Sequence, residues 1–463
     1  MSVVGDRVVI VGGGVSGLAT AHRLLRADPS LDVTVLESEP TPGGRLSTAT
    51  VGDLRLDGGP DSLVARKPWA VDLCRELGIE LIEPRARDAY VWTDRGLVPL
   101  PQSALGIPAD LDGLARWPGM SRRGRARAIT DLVRKARPSE TDESIGSLVR
   151  RRLGDELTDA LTGPLLGGLF AGDVDRLSVE ASFPELARWE RSFGSLIRGA
   201  RSALGAAQGA GPMFLRPRGG VSQLPLALLE AVGTDRVRVE TRADTVDRYG
   251  AALIVHAGAR AFPADAVVLD TPSFVSGDLV RGVDPNAAEA MGRIPYASTG
   301  IVLLVYSDGT ADALPDATGF VVPRGRAPMT AGTFLSRKWP DAAFGNRAVI
   351  RCFVGAVGFE DVLDAPDEDI VDAVCRHLAA LLPLPDRAAA STVVRWPRSM
   401  PQFEVGHLER VRAIETSLPA GIFVTGNAYL GVGVADAVRS ADRVAERVRA
   451  HLEGEPIDSE RVR

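Results

Sequence analysis

Three glycines and one acid carry the first chemical signal in the chain. Gly12, Gly14 and Gly17 are spaced GxGxxG, with Gly13, Val15 and Ser16 between them, and Glu37 lies twenty residues past the last glycine. In this spacing the first glycine permits a tight turn, the second lets backbone approach a pyrophosphate, and the third allows close helix-to-strand packing. The helix N-terminus then faces the anion, while the acid accepts hydrogen bonds from ribose hydroxyls. Glycine-rich turns also arise for purely structural reasons, so the motif needs its context. Here residues 7–11 form a β-branched run, 15–27 read as a helix, and 33–36 form a second β-branched run ending at Glu37. An acid at this position favours an unphosphorylated adenosine ribose, hence FAD or NAD over NADP.

The elements that must position these residues are spread along 463 positions, which at about 150 residues per domain suggests roughly three domains. Residues 41–50 and 57–60 are turn-rich, and 68–77 read as a helix ended by Gly78. Short strands are expected around Tyr90-Val91-Trp92 and 97–101, and residues 108–207 have helix-forming composition rich in Arg, Leu and Ala. Runs at 236–240, 252–257 and 266–269 read as strands that rejoin the first domain. Those at 301–305, 319–322 and 349–354 read as an antiparallel substrate-side sheet, and 421–425 followed by 435–452 as a strand and a helix. The expected fold class is α/β: a discontinuous Rossmann-like FAD-binding domain (1–82, 215–272 and 398–463), an antiparallel-sheet substrate domain (83–104 and 273–397) and a helical insertion (105–214).

Composition narrows the function classes. A net charge of -6 argues against a general nucleic-acid binder. Cys74, Cys352 and Cys375 are widely spaced, with no CxxC pair and no clustered histidines, so neither a disulfide framework nor a metal site is expected. A reducing cytoplasm fits this usage. The strand-like run begins at Arg7, leaving no room for a secretion leader, and no apolar stretch approaches the ~20 residues of a spanning helix. Arg116, Arg122, Arg123, Arg125, Arg127, Arg134, Lys135 and Arg137 form a basic run broken only by Asp131, read as a solvated helical face or a surface for weak peripheral membrane contact, a partner or an anionic tetrapyrrole.

Resemblance to a known family selects FAD over NAD. Gly43, Gly44 and Arg45 follow Glu37 closely and resemble the GG motif of the flavin amine oxidase superfamily. Gly58-Gly59-Pro60-Asp61-Ser62, Gly168-Leu169-Phe170-Ala171-Gly172-Asp173, Arg395-Trp396 with Met400-Pro401-Gln402, and Gly426-Asn427-Ala428-Tyr429 with Gly431-Val432-Gly433-Val434 resemble the porphyrinogen oxidase family, in its order and over nearly the whole chain. The resemblance implies an enzyme of haem biosynthesis that uses FAD and dioxygen for the six-electron oxidation of a porphyrinogen to a porphyrin, yielding hydrogen peroxide. Soluble bacterial members often act on coproporphyrinogen III, whereas others oxidise protoporphyrinogen IX. A ferrochelatase is the implied downstream partner.

Carried over by position, Gly12, Gly13, Gly14, Val15, Ser16, Gly17, Glu37, Ser38, Arg45, Gly58, Gly59, Pro60, Asp61, Val246, Trp396, Asn427, Val432, Gly433 and Val434 are the implied FAD contacts. Val246 reads equally as a core residue. Lys67 matches a lysine of the soluble bacterial members that pairs with a propionate, and Gly168 a glycine whose carbonyl faces the macrocycle; a solvated lysine and a packing glycine are the alternatives. Ala89 departs from the arginine that membrane-associated members carry before the aromatic; Arg87, two residues along, points to the same strand face at another depth and is no more than a candidate substitute.

The pyrroles of a porphyrinogen stabilise the developing cation themselves, so no catalytic histidine is required, and His22, His256, His377, His407 and His451 show no such arrangement. Competing readings are an amine oxidase or carotenoid desaturase with the same fingerprint, or a non-enzymatic binding protein of the prenyl-GTPase-chaperone type. No Cys or His adjoins the expected flavin-facing segments, so FAD should be held noncovalently. Acid precipitation should therefore leave colourless protein and yellow supernatant; flavin that stays with the pellet contradicts this.

Overall fold

The computed structural model describes residues 5–206, 209, 211–250 and 252–455. Along Arg7–Val11, Val8 and Ile10 alternate with Val9 and Val11, and all four are buried. A strand buried on both sides must be covered on both sides. It forms the middle of a parallel sheet ordered Val237–Arg238, Asp32–Leu36, Arg7–Val11, Ala266–Leu269 and Ile422–Val424. On one face, Val8 and Ile10 join Leu18 and Leu24 of helix Val15–Ala27, Leu224 of Gln223–Val232 and Val438 of Val434–Leu452. On the other, Val9, Val11 and Leu36 join Val246, Leu253 and Val255 from an antiparallel layer, Thr245–Tyr249, Ala252–Ala257 and Arg260–Ala264.

Residues 252–257 form the expected strand and pack with the first domain, in the antiparallel layer that covers the parallel sheet. One expectation changes here. The strand expected over 236–240 is only Val237–Arg238, because the chain leaves the sheet to pass Glu37: Glu37 N–H donates to Arg238 O, and Thr241 N–H to Glu37 O.

The second sheet has seven strands, ordered Ala390–Pro401, Tyr296–Asp308, Arg347–Val354, Met329–Phe334, Gly319–Val321, Ala89–Thr93 and Gly96–Pro99. It is antiparallel except where Ala89–Thr93, arriving from far upstream, pairs parallel to Gly319–Val321. Strand Ala390–Pro401, which sequence showed only as a motif, closes one edge and carries Arg395 and Trp396.

The insertion is helical, as expected. It includes Arg122–Ile129, Ile145–Leu153, Pro184–Phe193, Leu196–Ala206 and a ten-residue π-helix, Thr158–Gly167, with Pro164 inside it. The basic run is not one solvated face. Arg122 and Arg123 are exposed, but Arg125 donates to Trp117 O, and Arg127 donates to the carbonyls of Arg150, Arg151 and Arg152, satisfying the end of helix Ile145–Leu153. Asp131, the one acid in the run, is fully buried. It accepts from Arg152 Nε (2.6 Å), Ser195 Oγ (2.6 Å) and Ile197 N–H (3.0 Å), joining three helical segments.

Removing one partner of a buried pair leaves the other charge uncompensated, at a cost of about 3–5 kcal/mol. Asp131→Ala should therefore lower the urea midpoint of unfolding markedly. Arg122→Gln with Arg123→Gln should not, and equal midpoints for wild type and Asp131→Ala would contradict the assignment.

Candidate active site

The glycine loop is bounded by backbone too close for any side chain. Gly12 has φ +114°, and a Cβ there would lie 2.2 Å from Asp270 O; a Cβ on Gly17 would lie 2.1 Å from Gly12 O. Glu37 is 8% exposed and turns back onto the loop. Its Oε2 accepts from Gly13 N–H (2.7 Å), and its Oε1 from Glu39 N–H (2.8 Å) and Ser38 Oγ (3.2 Å). A carboxylate offers about four lone-pair sites, so the acid shapes the loop and keeps capacity for a ribose hydroxyl. Gly43 N–H donates to Gly13 O (2.8 Å), which lays the second glycine pair over the first. Arg45 follows. Its guanidinium has no carboxylate within ion-pair distance among the described residues, and burial pushes its pKa down. A buried cation without a counter-anion suits a pyrophosphate.

The third segment, Gly58 to Asp61, meets the second where a Cβ on Gly59 would lie 1.8 Å from Arg45 O. Trp396 Nε1 donates to Gly58 O (2.8 Å) and Arg351 to Gly59 O (2.8 Å), so the seven-stranded sheet grips this segment by its carbonyls. The Asp61 side chain turns inward. It accepts from Lys338 Nζ (2.9 Å) and Trp339 Nε1 (3.0 Å), with Arg351 3.8 Å away. Burial alone would raise its pKa, but the Lys338 and Arg351 cations outweigh that and hold it well below the carboxylate range. The backbone of this segment, not the carboxylate, remains to face a flavin.

The closing segment ends in the N-terminus of helix Val434–Leu452. Val432 packs against the helical insertion and Val434 against the parallel sheet's helices, while Asn427 Oδ1 is buried without a hydrogen-bond partner. Val246 is fully buried in the core on the far side of Leu36, the residue before Glu37, so its side chain serves packing. Lys67 is not free: its Nζ donates to Asp436 Oδ2 (2.6 Å) in the first turn of that C-terminal helix. Any propionate would share the lysine with Asp436.

Gly168 caps the π-helix and is exposed; a Cβ there would meet nothing within 4 Å, so packing does not require a glycine. Leu169 beside it is 59% exposed. The turn is held from behind, where Gln402 Nε2 donates to Phe170 O (2.8 Å) and Val357 N–H to Ala171 O (2.9 Å). The histidines lie elsewhere in local structure. His407, for example, stacks on Phe403 at 4.0 Å, and burial lowers its pKa to about 4.

Sequence reasoning brought together the three glycine segments, Glu37, Arg45 and Trp396. It missed Lys338, Arg351 and Gln402, which hold these segments in place. Gln402 stood inside a quoted motif; the others carry no local signal, because their roles come from partners hundreds of positions away.

A parallel sheet with a glycine loop, a ribose-position acid, an arginine without a carboxylate partner among the described residues and an orphaned amide oxygen defines a dinucleotide-binding protein. The chain belongs to the flavin-containing amine oxidoreductase family, whose model matches residues 15–449, within its porphyrinogen oxidase branch. It is 30% identical to coproporphyrinogen III oxidase of Bacillus subtilis (strain 168), covering 93% of this chain and 95% of that one. It is 29% identical to the chloroplastic protoporphyrinogen oxidase of Oryza sativa subsp. japonica, over 96% of this chain and 88% of that one. A crystal structure from Exiguobacterium sp. 255-15, provisionally named a protoporphyrinogen oxidase, superposes with TM-score 0.87 and 30% identity, covering 97% and 99% of the two chains. The cofactor is FAD.

Lys338→Met should strip Asp61 of its nearest cation and cost about 3–5 kcal/mol at neutral pH. The Asp61 pKa is depressed in the folded protein, so its stabilisation is present above the unfolded value near 3.8 and is lost as pH falls through the folded one. In the variant Asp61 protonates earlier. The gap in unfolding midpoint between variant and wild type should thus narrow on acidification; a gap independent of pH would mean that the lysine acts by packing.

Proposed function

We propose that the protein oxidises coproporphyrinogen III to coproporphyrin III with FAD and dioxygen. One chain of contacts carries this reading. Trp396 bonds the flavin-facing Gly58, and a few residues on Gln402 bonds Phe170 behind the exposed Gly168–Leu169 corner. A single strand and its extension thus set the exposed Gly168–Leu169 corner at a fixed offset from the flavin segment. The exposed Leu169 side chain offers a flat macrocycle an apolar contact. Bound FAD would supply the electron acceptor, with dioxygen leaving as hydrogen peroxide.

The chain's own residues bind and orient. Glu37 and the glycine loop hold the dinucleotide, Arg45 neutralises it, and Asp61 with its cations keeps the Gly58–Gly59 backbone in place. The pyrroles supply the electron density, so no protein base need be aimed at the reacting carbon. The choice of coproporphyrinogen rests on the names of the bacterial relatives and on Ala89 in place of a basic residue; Arg87 beside it is exposed. Among the described residues no helix is long and apolar enough to cross a membrane. We place the enzyme in the cytoplasm, handing its product to a ferrochelatase.

Assayed in parallel by porphyrin fluorescence, coproporphyrinogen III should show the higher kcat/KM. A charge-assisted pair contributes ~1.5–3 kcal/mol, roughly tenfold to a hundredfold in kcat/KM. Lys67→Ala should accordingly cut turnover of coproporphyrinogen, with four propionates, more than of protoporphyrinogen, with two. Equal losses would assign Lys67 to holding Asp436, and faster protoporphyrinogen oxidation by wild type would overturn the substrate.

A further inference from the structure

Asp270 ends strand Ala266–Leu269, beside the glycine loop, and its carboxyl points at the helix N-terminus where the cofactor's pyrophosphate would bind. Oδ2 accepts from Gly17 N–H at 2.6 Å, and a Cβ built on Gly14 would lie 3.0 Å from the same oxygen. On the other side, a Cβ on Gly426 would lie 2.7 Å from Oδ1. The carboxyl is therefore wedged between the glycine loop and the closing segment, the two places where a dinucleotide must pass. The residue keeps some accessible surface although its carboxyl lies deep within the protein, as a side chain facing an internal groove would.

A carboxylate in this position conflicts with a pyrophosphate. Both are anions and both seek the same partial positive charge at the helix N-terminus. Among the groups facing Asp270, Glu37 adds a second negative charge, while Ser16 and Gly17 of helix Val15–Ala27 offer neutral donors and Arg45 is a cation that eases the conflict only as long as no other anion is bound. Tyr429 and Tyr296 are phenols that burial keeps protonated. A pyrophosphate would take up the Arg45 charge, leaving Asp270 with none.

We propose that Asp270 belongs to the FAD site and binds the pyrophosphate as a neutral carboxylic acid, accepting from Gly17 N–H through one oxygen and donating to a phosphate oxygen through the other. This rests on the FAD assignment and adds a residue and a proton to it. Burial, opposed by the Gly17 and Ser16 hydrogen bonds and reinforced by Glu37, already raises the Asp270 pKa to about 7 before any phosphate is near. Two phosphate charges raise it further. Above that pH each FAD bound takes one proton from solvent, and by linkage the dissociation constant rises about tenfold per pH unit.

The test uses the holoprotein. Diluted at about pH 6 and about pH 8.5, wild type should retain flavin at the lower pH and release most of it at the higher. Asp270→Asn keeps both hydrogen-bonding roles, with Oδ1 accepting and Nδ2 donating, and should hold flavin to within about threefold at both pH values. In weakly buffered solution near pH 8, release of wild-type flavin should liberate close to one proton per FAD, read by an indicator dye; this needs no variant. Identical pH dependence in wild type and Asp270→Asn, or no proton release, overturns the role of Asp270 and leaves the flavin site intact. A holoprotein that contains no flavin at any pH overturns both.

Discussion

The structure hangs on a carboxylate that faces away from the chemistry. Asp61 ends the Gly58–Asp61 segment, and besides the neighbouring Ser62 hydroxyl its partners come from the seven-stranded sheet and the short helix that continues it: Lys338 and Trp339 after strand Met329–Phe334, and Arg351 within Arg347–Val354. Burying these charges costs solvation, and only mutual pairing offsets it. The pairing therefore has one satisfactory geometry, which fixes the sheet against the glycine segments. Trp396 and Arg351 then hold the Gly58 and Gly59 carbonyls, and the position of this segment relative to the sheet follows from that contact.

The helical insertion uses the same device. Asp131, Arg152 and Glu190 form a buried network around which Arg127 and Ser195 satisfy helix ends and Arg151 pairs with Glu143 and Glu190. Much of the insertion's positive charge is thereby spent on carbonyls and carboxylates inside the protein, leaving residues such as Arg122, Arg123, Arg134 and Arg137 for the surface.

What sequence made legible was local. The glycine loop, Glu37 and the helices flanking them are read from spacing within about forty residues, and they stand where expected. Strand Ala252–Ala257 stands in the first domain as expected, but its place in the covering layer was not legible, because alternation identifies a half-buried strand without saying which sheet it joins. Asp131 looked like an interruption in a charge run until the fold gave it Arg152. Asp270 follows a β-branched run and reads as the start of a turn; only packing against Gly12, Gly17 and Gly426, from both ends of the chain, gives its carboxyl a meaning. Lys67 shows the converse. Its type invited a ligand, while its geometry supplies one from the chain itself.

The π-helix Thr158–Gly167 sets the direction of the exposed Gly168–Leu169 corner. A wider turn absorbs residues that an α-helix would spread around its axis, and Pro164, which lacks an N–H, sits where the bonding pattern is already displaced. Gly168 is the first residue after it, returning to α geometry. Each residue of an α-helix advances the direction of its neighbours by about 100°. Removing one residue here would swing the Gly168–Leu169 corner by about that angle, so the corner's orientation depends on the number of residues in this irregular helix as much as on their identity.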